Sequence, residues 1–294
     1  MTVRSEPEVI DEPAPMQRRV AEERRAGRTV GLVPTMGALH EGHRSLIRLA
    51  RQRADTVVVS IFVNPTQFGP DEDYEHYPRD FERDMAACAE EGTDLVFHPD
   101  PGTLYAPDHS TWVDETSVSA PLCGSGRPGH FRGVCTVVAK LFHICAPDLA
   151  VFGRKDAQQL RVIRRMVRDL NMPVEVIGAP IVREQDGLAM SSRNRYLDPS
   201  ARRQARCLRR ALDRAAEAVR QGQRDAEALK ILMTGVIGEE PDAALEYAEI
   251  VDGETLESVD RIEGTVLAAL AVRIAGTRLI DSEELTPDEE ESPD

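Results

Sequence analysis

No apolar run in this chain is long enough to span a bilayer, and its opening stretch is acidic and Pro-rich where a signal peptide would be basic and then apolar. The sequence therefore predicts no membrane partner and a cytoplasmic location. Cysteine is sparse: Cys88, Cys123, Cys135, Cys145 and Cys207 are odd in number, widely spaced and without a Cys-x-x-Cys pair, which excludes a disulfide framework and a zinc or dithiol motif. Aromatic residues make up 4% of the chain, and none interrupts the cluster Arg202, Arg203, Arg206, Arg209 and Arg210. That cluster reads as a solvated helix face, and no nucleic-acid partner is expected. Two common phosphate-binding patterns are also missing. The residue after Gly42 is His43, not the lysine of a P-loop, and no Gly-x-Gly-x-x-Gly follows the first strand.

Charge of one sign prevails, at −15 net, but unevenly: residues 282–294 contribute −7 and residues 1–14 contribute −3. Both ends, poor in apolar residues, are expected to be disordered. The remaining chain, within 294 residues that are 41% hydrophobic, is long enough for one large domain and a smaller one.

Most informative is Pro34-Thr35-Met36-Gly37-Ala38-Leu39-His40-Glu41-Gly42-His43, which lies between an apolar strand at 29–33 and an amphipathic helix at 44–53 carrying Leu46, Ile47, Leu49 and Ala50 on one face. At such a helix start the backbone N–H groups attract an anion, glycines permit close approach, and two imidazoles can donate to phosphate oxygens. The loop reads as a polyphosphate site. The plainer alternative has one histidine capping the helix and the other in solvent. A zinc site fails for want of a third ligand and of a His-Glu-x-x-His spacing.

Strand-like runs at 29–33, 56–63, 94–98, 149–152 and 174–177 alternate with helical patterns at 44–53, 79–91, 134–144 and 157–170. Alternation of this kind predicts an α/β fold: a doubly wound, Rossmann-like parallel sheet domain over 15–181, with ligands beyond the carboxyl ends of its strands. After residue 182 the texture changes. Helical periodicity at 198–221 and 226–233 and strands at 245–251 and 265–274 predict a smaller α+β lid domain over 182–281.

Other candidate residues follow strands. Lys155, beside Gly153, sets a cation at a helix start, against the alternative of a solvated lysine paired with Asp156. Met190, Ser191, Ser192 and Arg193 form a compact set of hydroxyls and a guanidinium able to close on a phosphoryl group, or simply cap the next helix. Gln67 and Gln159 are amides suited to a small hydroxy acid. Asp84 is a candidate Mg²⁺ ligand, with a surface carboxylate paired to arginine as the alternative. Cys135, His143 and Cys145 fall within an apolar helical run and read as core residues.

Four segments together resemble the pantothenate synthetase (pantoate–β-alanine ligase) family of the nucleotidylyltransferase superfamily: the run 34–43, Ser60-Ile61-Phe62-Val63-Asn64-Pro65-Thr66-Gln67-Phe68-Gly69, Gly153-Arg154-Lys155-Asp156-Ala157-Gln158-Gln159, and Arg183-Glu184-Gln185-Asp186-Gly187-Leu188-Ala189-Met190-Ser191-Ser192-Arg193-Asn194. The resemblance covers about 15–285. It implies ATP-dependent ligation of pantoate and β-alanine through an enzyme-bound pantoyl adenylate, with Mg²⁺, in a homodimer. By resemblance, His43 is the proton donor, acting with His40 and Lys155. Met36, Gly37, Ala38, Leu39, His40, Glu41, Gly42, His43, Gly153, Arg154, Lys155, Asp156, Val182, Met190, Ser191, Ser192 and Arg193 would bind ATP. Gln67 and Gln159 would bind pantoate, and Gln67 also β-alanine. Arg83 stands where the family often has an acid, and Arg154 where it usually has glutamate.

Two further function classes remain open. A nucleotidylyltransferase acting on a phosphorylated acceptor would need extra cations at the mouth formed by Phe62, Gln67 and Gln159. A non-catalytic nucleotide-binding regulator could dispense with Ser191, Ser192 and Arg193.

Overall fold

The structure, a computed structural model, describes residues 6–70 and 72–287. The chain divides into two units at residues 182 and 183, with the short segments 120–123 and 155–158 belonging to the second.

The first unit is built on six parallel strands: β1 (Glu8–Ile10), β2 (Val30–Thr35), β3 (Thr56–Ile61), β4 (Leu95–Phe97), β5 (Leu149–Gly153) and β6 (Glu175–Ala179). Every residue of β3 and all but one of β2 are buried, as expected of β-branched strands with a layer on each side. Between the strands run α1 (Pro13–Arg25), α2 (Glu41–Arg53), α3 (Phe81–Glu91), α4 (Pro101–Leu104), α5 (Cys123–Gly126), α6 (His130–Cys145) and α7 (Ala157–Asp169). Leu46, Ile47 and Ala50 of α2 join Val33, Val57 and Val59 in one core. Neighbouring Leu32 and Val58 are just as buried and, alternating along their strands, face the other side.

Strand order is β1-β4-β3-β2-β5-β6. The order reverses between β2 and β5, which pair through Gly31 with Leu149 and Leu32 with Ala150. Loops leaving the carboxyl ends of β2 and β5 thus flank the point at which a doubly wound sheet takes its ligand.

The second unit packs α8 (Pro199–Ala205), α9 (Cys207–Arg220) and α10 (Ala226–Gly238) with an antiparallel sheet, β7 (Ala243–Asp252), β8 (Val266–Ile274) and β9 (Thr277–Leu285). Leu208, Ala211, Leu212 and Ala215 on α9 and Leu229, Met233 and Ile237 on α10 meet Ala268, Leu270 and Val272 of β8 in a single core. Three of the five arginines read as a solvated face are ion-paired, Arg202 with Glu184 and Asp186, Arg209 with Glu283, and Arg210 with Glu240, while Arg203 and Arg206 are exposed.

Parts of both ends expected to be disordered belong to regular elements. Glu8, Val9 and Ile10 pair in parallel with Leu95, Val96 and Phe97, so residues 8–10 are part of the sheet, and α1 starts at Pro13. At the other end β9 runs to Leu285, so residues 282–285 are strand, and neighbouring Asp281, 3% exposed, is held at both oxygens by Arg183 at 2.6 and 3.1 Å. Residues 1–5 and 288–294 lie outside the described residues.

Candidate active site

The loop between β2 and α2 turns sharply. Gly37 has φ +79° and Ala38, unusually for a residue with a Cβ, φ +51°. A left-handed alanine costs about 1–2 kcal/mol, and Asp84 of α3 offsets that cost. Its Oδ2 accepts the Ala38 N–H at 2.9 Å and its Oδ1 the Leu39 N–H at 2.7 Å. A Cβ at position 37 would lie 2.8 Å from the same Oδ2, so glycine is required there by contact as well as by φ. Burial pushes the Asp84 carboxyl above its usual range, opposed by these two N–H groups.

Asp84, a candidate Mg²⁺ ligand from its sequence, is placed here as the anchor of the loop backbone. The residue is 1% exposed and both its oxygens hold the loop backbone. Among the described residues, no three His, Cys, Asp or Glu side chains converge as a metal site.

His40 is the N-cap of α2. Its Nδ1 accepts the Gly42 N–H at 3.1 Å, while Nδ1 of His43 accepts the His40 N–H at 3.4 Å. The rings stack with centroids 4.1 Å apart. Because Nδ1 is the acceptor in each, a neutral ring carries its proton on Nε2. Both side chains take part in the cap, where the plainer sequence reading left one in solvent, and each keeps an Nε2–H that a cap does not use. Ala38 and Leu39 are buried, leaving backbone as their polar contribution, and the Glu41 carboxylate is paired with Arg48.

Gln67 closes a short 3₁₀ turn, Pro65–Gln67, after β3. Asn64, 1% exposed, caps this turn by accepting the Thr66 N–H at 3.3 Å, and its Nδ2 donates to Oε1 of Gln67 at 3.1 Å and to the Gly133 carbonyl at 3.2 Å. The other end of the Gln67 amide, Nε2, lies 3.0 Å from Sδ of Met36. Met36 and Gly37 also line a cavity of about 270 Å³ beyond the ends of β2, β3 and β4, walled by Phe62, Tyr74 and His98. The β2 loop and the Gln67 turn, distant in sequence, are in direct contact.

Gly153 ends β5 and pairs with Ala179. Arg154 lies along β6, its Nε donating to the Gly178 carbonyl at 3.2 Å. Gln159 on α7 and Val182 are half-buried in the first unit. In the second unit, Lys155 Nζ is 3.9 Å from Asp156 Oδ1. Ser191 caps the 3₁₀ turn Ser192–Tyr196 by accepting the Arg193 N–H at 3.3 Å, and Met190 is half-buried beside it. Buried Asn194 holds this segment, donating to Glu184 at 2.7 Å and to the Ala189 carbonyl at 3.1 Å. Burial pushes the Cys135 and Cys145 thiols up to about 12, as core residues would show, whereas His143 is exposed on the outer face of α6 and bonds the Ala139 carbonyl one turn back, so the core reading fails for it.

Sequence reasoning missed Asn64, Glu72, Arg127 and His130, all of which converge on the Gln67 turn. Only Asn64, directly before a proline, carried a local signal, that of a turn cap.

A family model described as pantoate–β-alanine ligase matches residues 8–284. The pantothenate synthetase of Thermotoga neapolitana is 56% identical over 275 residues, covering 94% of this chain and 97% of that protein. Among solved structures, pantothenate synthetase from Thermus thermophilus superposes with a TM-score of 0.90 at 44% identity, over 95% of this chain and 100% of that one. Pantoate–β-alanine ligase from Francisella tularensis, complexed with β-γ ATP and β-alanine, gives 0.77 at 31% identity, over 94% and 97%. A parallel sheet that reverses at the histidine loop, and matches of this extent, place the chain in the pantoate–β-alanine ligase family.

Proposed function

We propose that this ligase makes pantothenate through an adenylate. The carboxylate of pantoate attacks the α-phosphorus of ATP, the bond to the bridging oxygen breaks, and pyrophosphate leaves. The amine of β-alanine then attacks the resulting mixed anhydride at carbon, AMP departs with the carboxylate oxygen, and the new amide nitrogen sheds a proton. No protein nucleophile enters either step, so the protein contributes positioning and charge neutralisation.

One observation carries this reading: the reciprocal ring-to-backbone cap of His40 and His43, which holds both rings at the amino terminus of α2 with the proton on Nε2. Negative charge grows on the leaving pyrophosphate, and donors fixed beforehand at a positive helix end stabilise it without reorganising. His43 is the proposed proton donor and His40 its companion. The backbone from Met36 to Gly42, together with Gly153, Arg154, Lys155, Asp156, Val182, Met190, Ser191, Ser192 and Arg193, is proposed to bind ATP on the strength of the four shared motifs. The amides of Gln67 and Gln159 would take the hydroxyl and carboxylate of pantoate, Gln67 also serving β-alanine.

With Asp84 holding the loop backbone and no three-residue acidic, histidine or cysteine cage among the described residues, Mg²⁺ is proposed to arrive on the phosphates of ATP. No helix among the described residues is long and apolar enough to cross a membrane. All five cysteines are free and buried, which supports the proposed cytoplasmic location. A homodimer is proposed from the family resemblance alone.

The test is isotope exchange. With pantoate present and β-alanine absent, labelled pyrophosphate should enter ATP, and AMP should accumulate only when β-alanine is added. Exchange that requires β-alanine would rule out the adenylate.

A further inference from the structure

The backbone carbonyl of Gln67 accepts two hydrogen bonds, from His130 Nδ1 at 2.8 Å and from Arg127 Nη2 at 3.3 Å. Arg127 also grips Glu72 with both arms of its fork, Nε to Oε1 at 2.6 Å and Nη2 to Oε2 at 2.5 Å. Its third nitrogen, Nη1, stands 2.9 Å from Nε2 of His130. A guanidinium has no acceptor and stays protonated, so in that contact it must donate, and Nε2 of His130 must hold the lone pair. The His130 ring is therefore neutral with its proton on Nδ1, the tautomer that donates to Gln67. Although burial pushes the Glu72 carboxyl up, its hydrogen-bond partners, Arg127 chief among them, bring it below its ordinary value.

The opposite side of the turn is equally constrained. A Cβ on Gly133 would come within 2.3 Å of the Thr66 oxygen, so α6 packs directly against the turn's backbone, while Asn64 holds the Gln67 side chain by its Oε1. Gln67 is thus fixed at its carbonyl by one set of groups and at its amide by another.

We propose that Arg127 and His130 are positioning residues for the small-substrate site: anchored by Glu72, they set the tautomer and the carbonyl bond that aim the Gln67 amide at pantoate and β-alanine. The inference rests on the reading of Gln67 as a substrate-binding amide. An N–H donor at the position of His130 Nδ1 is what the site needs, and the ring itself is replaceable.

Steady-state kinetics of the full chain, with ATP, pantoate and β-alanine varied separately, test this in His130→Phe, His130→Asn, His130→Gln and Gln67→Ala. Losing one such bond should raise KM for pantoate or β-alanine about tenfold in His130→Phe, with KM for ATP within a factor of two. Asparagine places its amide N–H where Nδ1 sits and should restore most of the loss. Glutamine reaches toward Nε2 instead and should not. If His130→Phe fails to fold by circular dichroism, the order of the Asn and Gln variants decides. Equal effects on all three KM values, or Asn no better than Gln, would overturn the relay. A Gln67→Ala effect with none in His130→Phe would overturn the relay alone. Unchanged KM values in Gln67→Ala would overturn the reading of Gln67, and the relay with it.

Discussion

Nδ1 of His43 accepts the backbone N–H of His40 across the first turn of α2, and the two imidazoles stack at 4.1 Å. The bond that finishes the helix end also fixes which nitrogen of His43 keeps a proton. Helix capping and the proposed chemistry share one side chain, so a substitution there is read in both stability and rate.

For His43→Ala, the lost cap should cost about 1 kcal/mol, and the lost phosphate donor about 10²–10³ in rate. Urea unfolding and pantoate-dependent pyrophosphate exchange measure the two effects. A folded variant with near-normal exchange would exclude His43 from the chemistry.

Asp84→Asn presents an amide N–H₂ to one of two backbone N–H groups that now share a carboxylate. Stability should fall by about 1–3 kcal/mol, and KM for ATP should rise, because the loop carrying both histidines loses its anchor. Were Asp84 instead a metal ligand, raising Mg²⁺ would rescue the variant. No such rescue is expected.

Gln159→Ala should raise KM for pantoate and leave KM for ATP within a factor of two, since a neutral amide suits a hydroxy acid better than a polyphosphate. A defect confined to ATP would relocate Gln159.

Glu23, on α1, supports the opposite end of the first unit. Arg28, Arg19 and Thr56 hydrogen-bond its carboxylate and outweigh burial, bringing its pKa from 4.5 down to about 2. Folding therefore favours the ionised form. The stabilisation is complete above the unfolded value of 4.5 and vanishes as pH falls through about 2. Glu23→Gln should lower the midpoint of unfolding at pH 7 and flatten its decline between pH 4.5 and 2. An unaltered acid profile would show that this carboxylate contributes nothing.

Removing residues 1–12 strips β1 from β4 and leaves that edge unpaired. Tm should fall by several degrees, at about 2–4 °C for each kcal/mol lost, and light scattering on heating should increase. A shortened chain that melts like the parent would make β1 incidental.

What the sequence revealed follows from the range of the interactions involved. The histidine loop, α2 and the central strands were legible because apolar periodicity and turn residues act within a few positions. β1 was not: Val9 and Ile10 are too few to form a pattern, and their partners are Val96 and Phe97. Glu283 read as part of an acidic tail because its partner, Arg209, lies far away in sequence. The same blindness concealed Arg127 and His130, which are ordinary surface types until the fold brings them to the Gln67 carbonyl. For Asp84 the residue was found but its bonds to the loop backbone were not, since a carboxylate that holds backbone N–H groups and one that holds a cation look alike in a string of letters.

The pairing of Glu8 with Leu95 also imposes an order in time. On the ribosome the first strand emerges long before its partner, and β2, α2, β3 and α3 are made in between. Its slot at the sheet edge does not exist until β4 has docked on β3. The amino-terminal segment must therefore wait for its partner through the synthesis of about a third of the chain, and its acidic residues Glu6, Glu8, Asp11 and Glu12 are of the charged kind that disfavours pairing with a wrong edge.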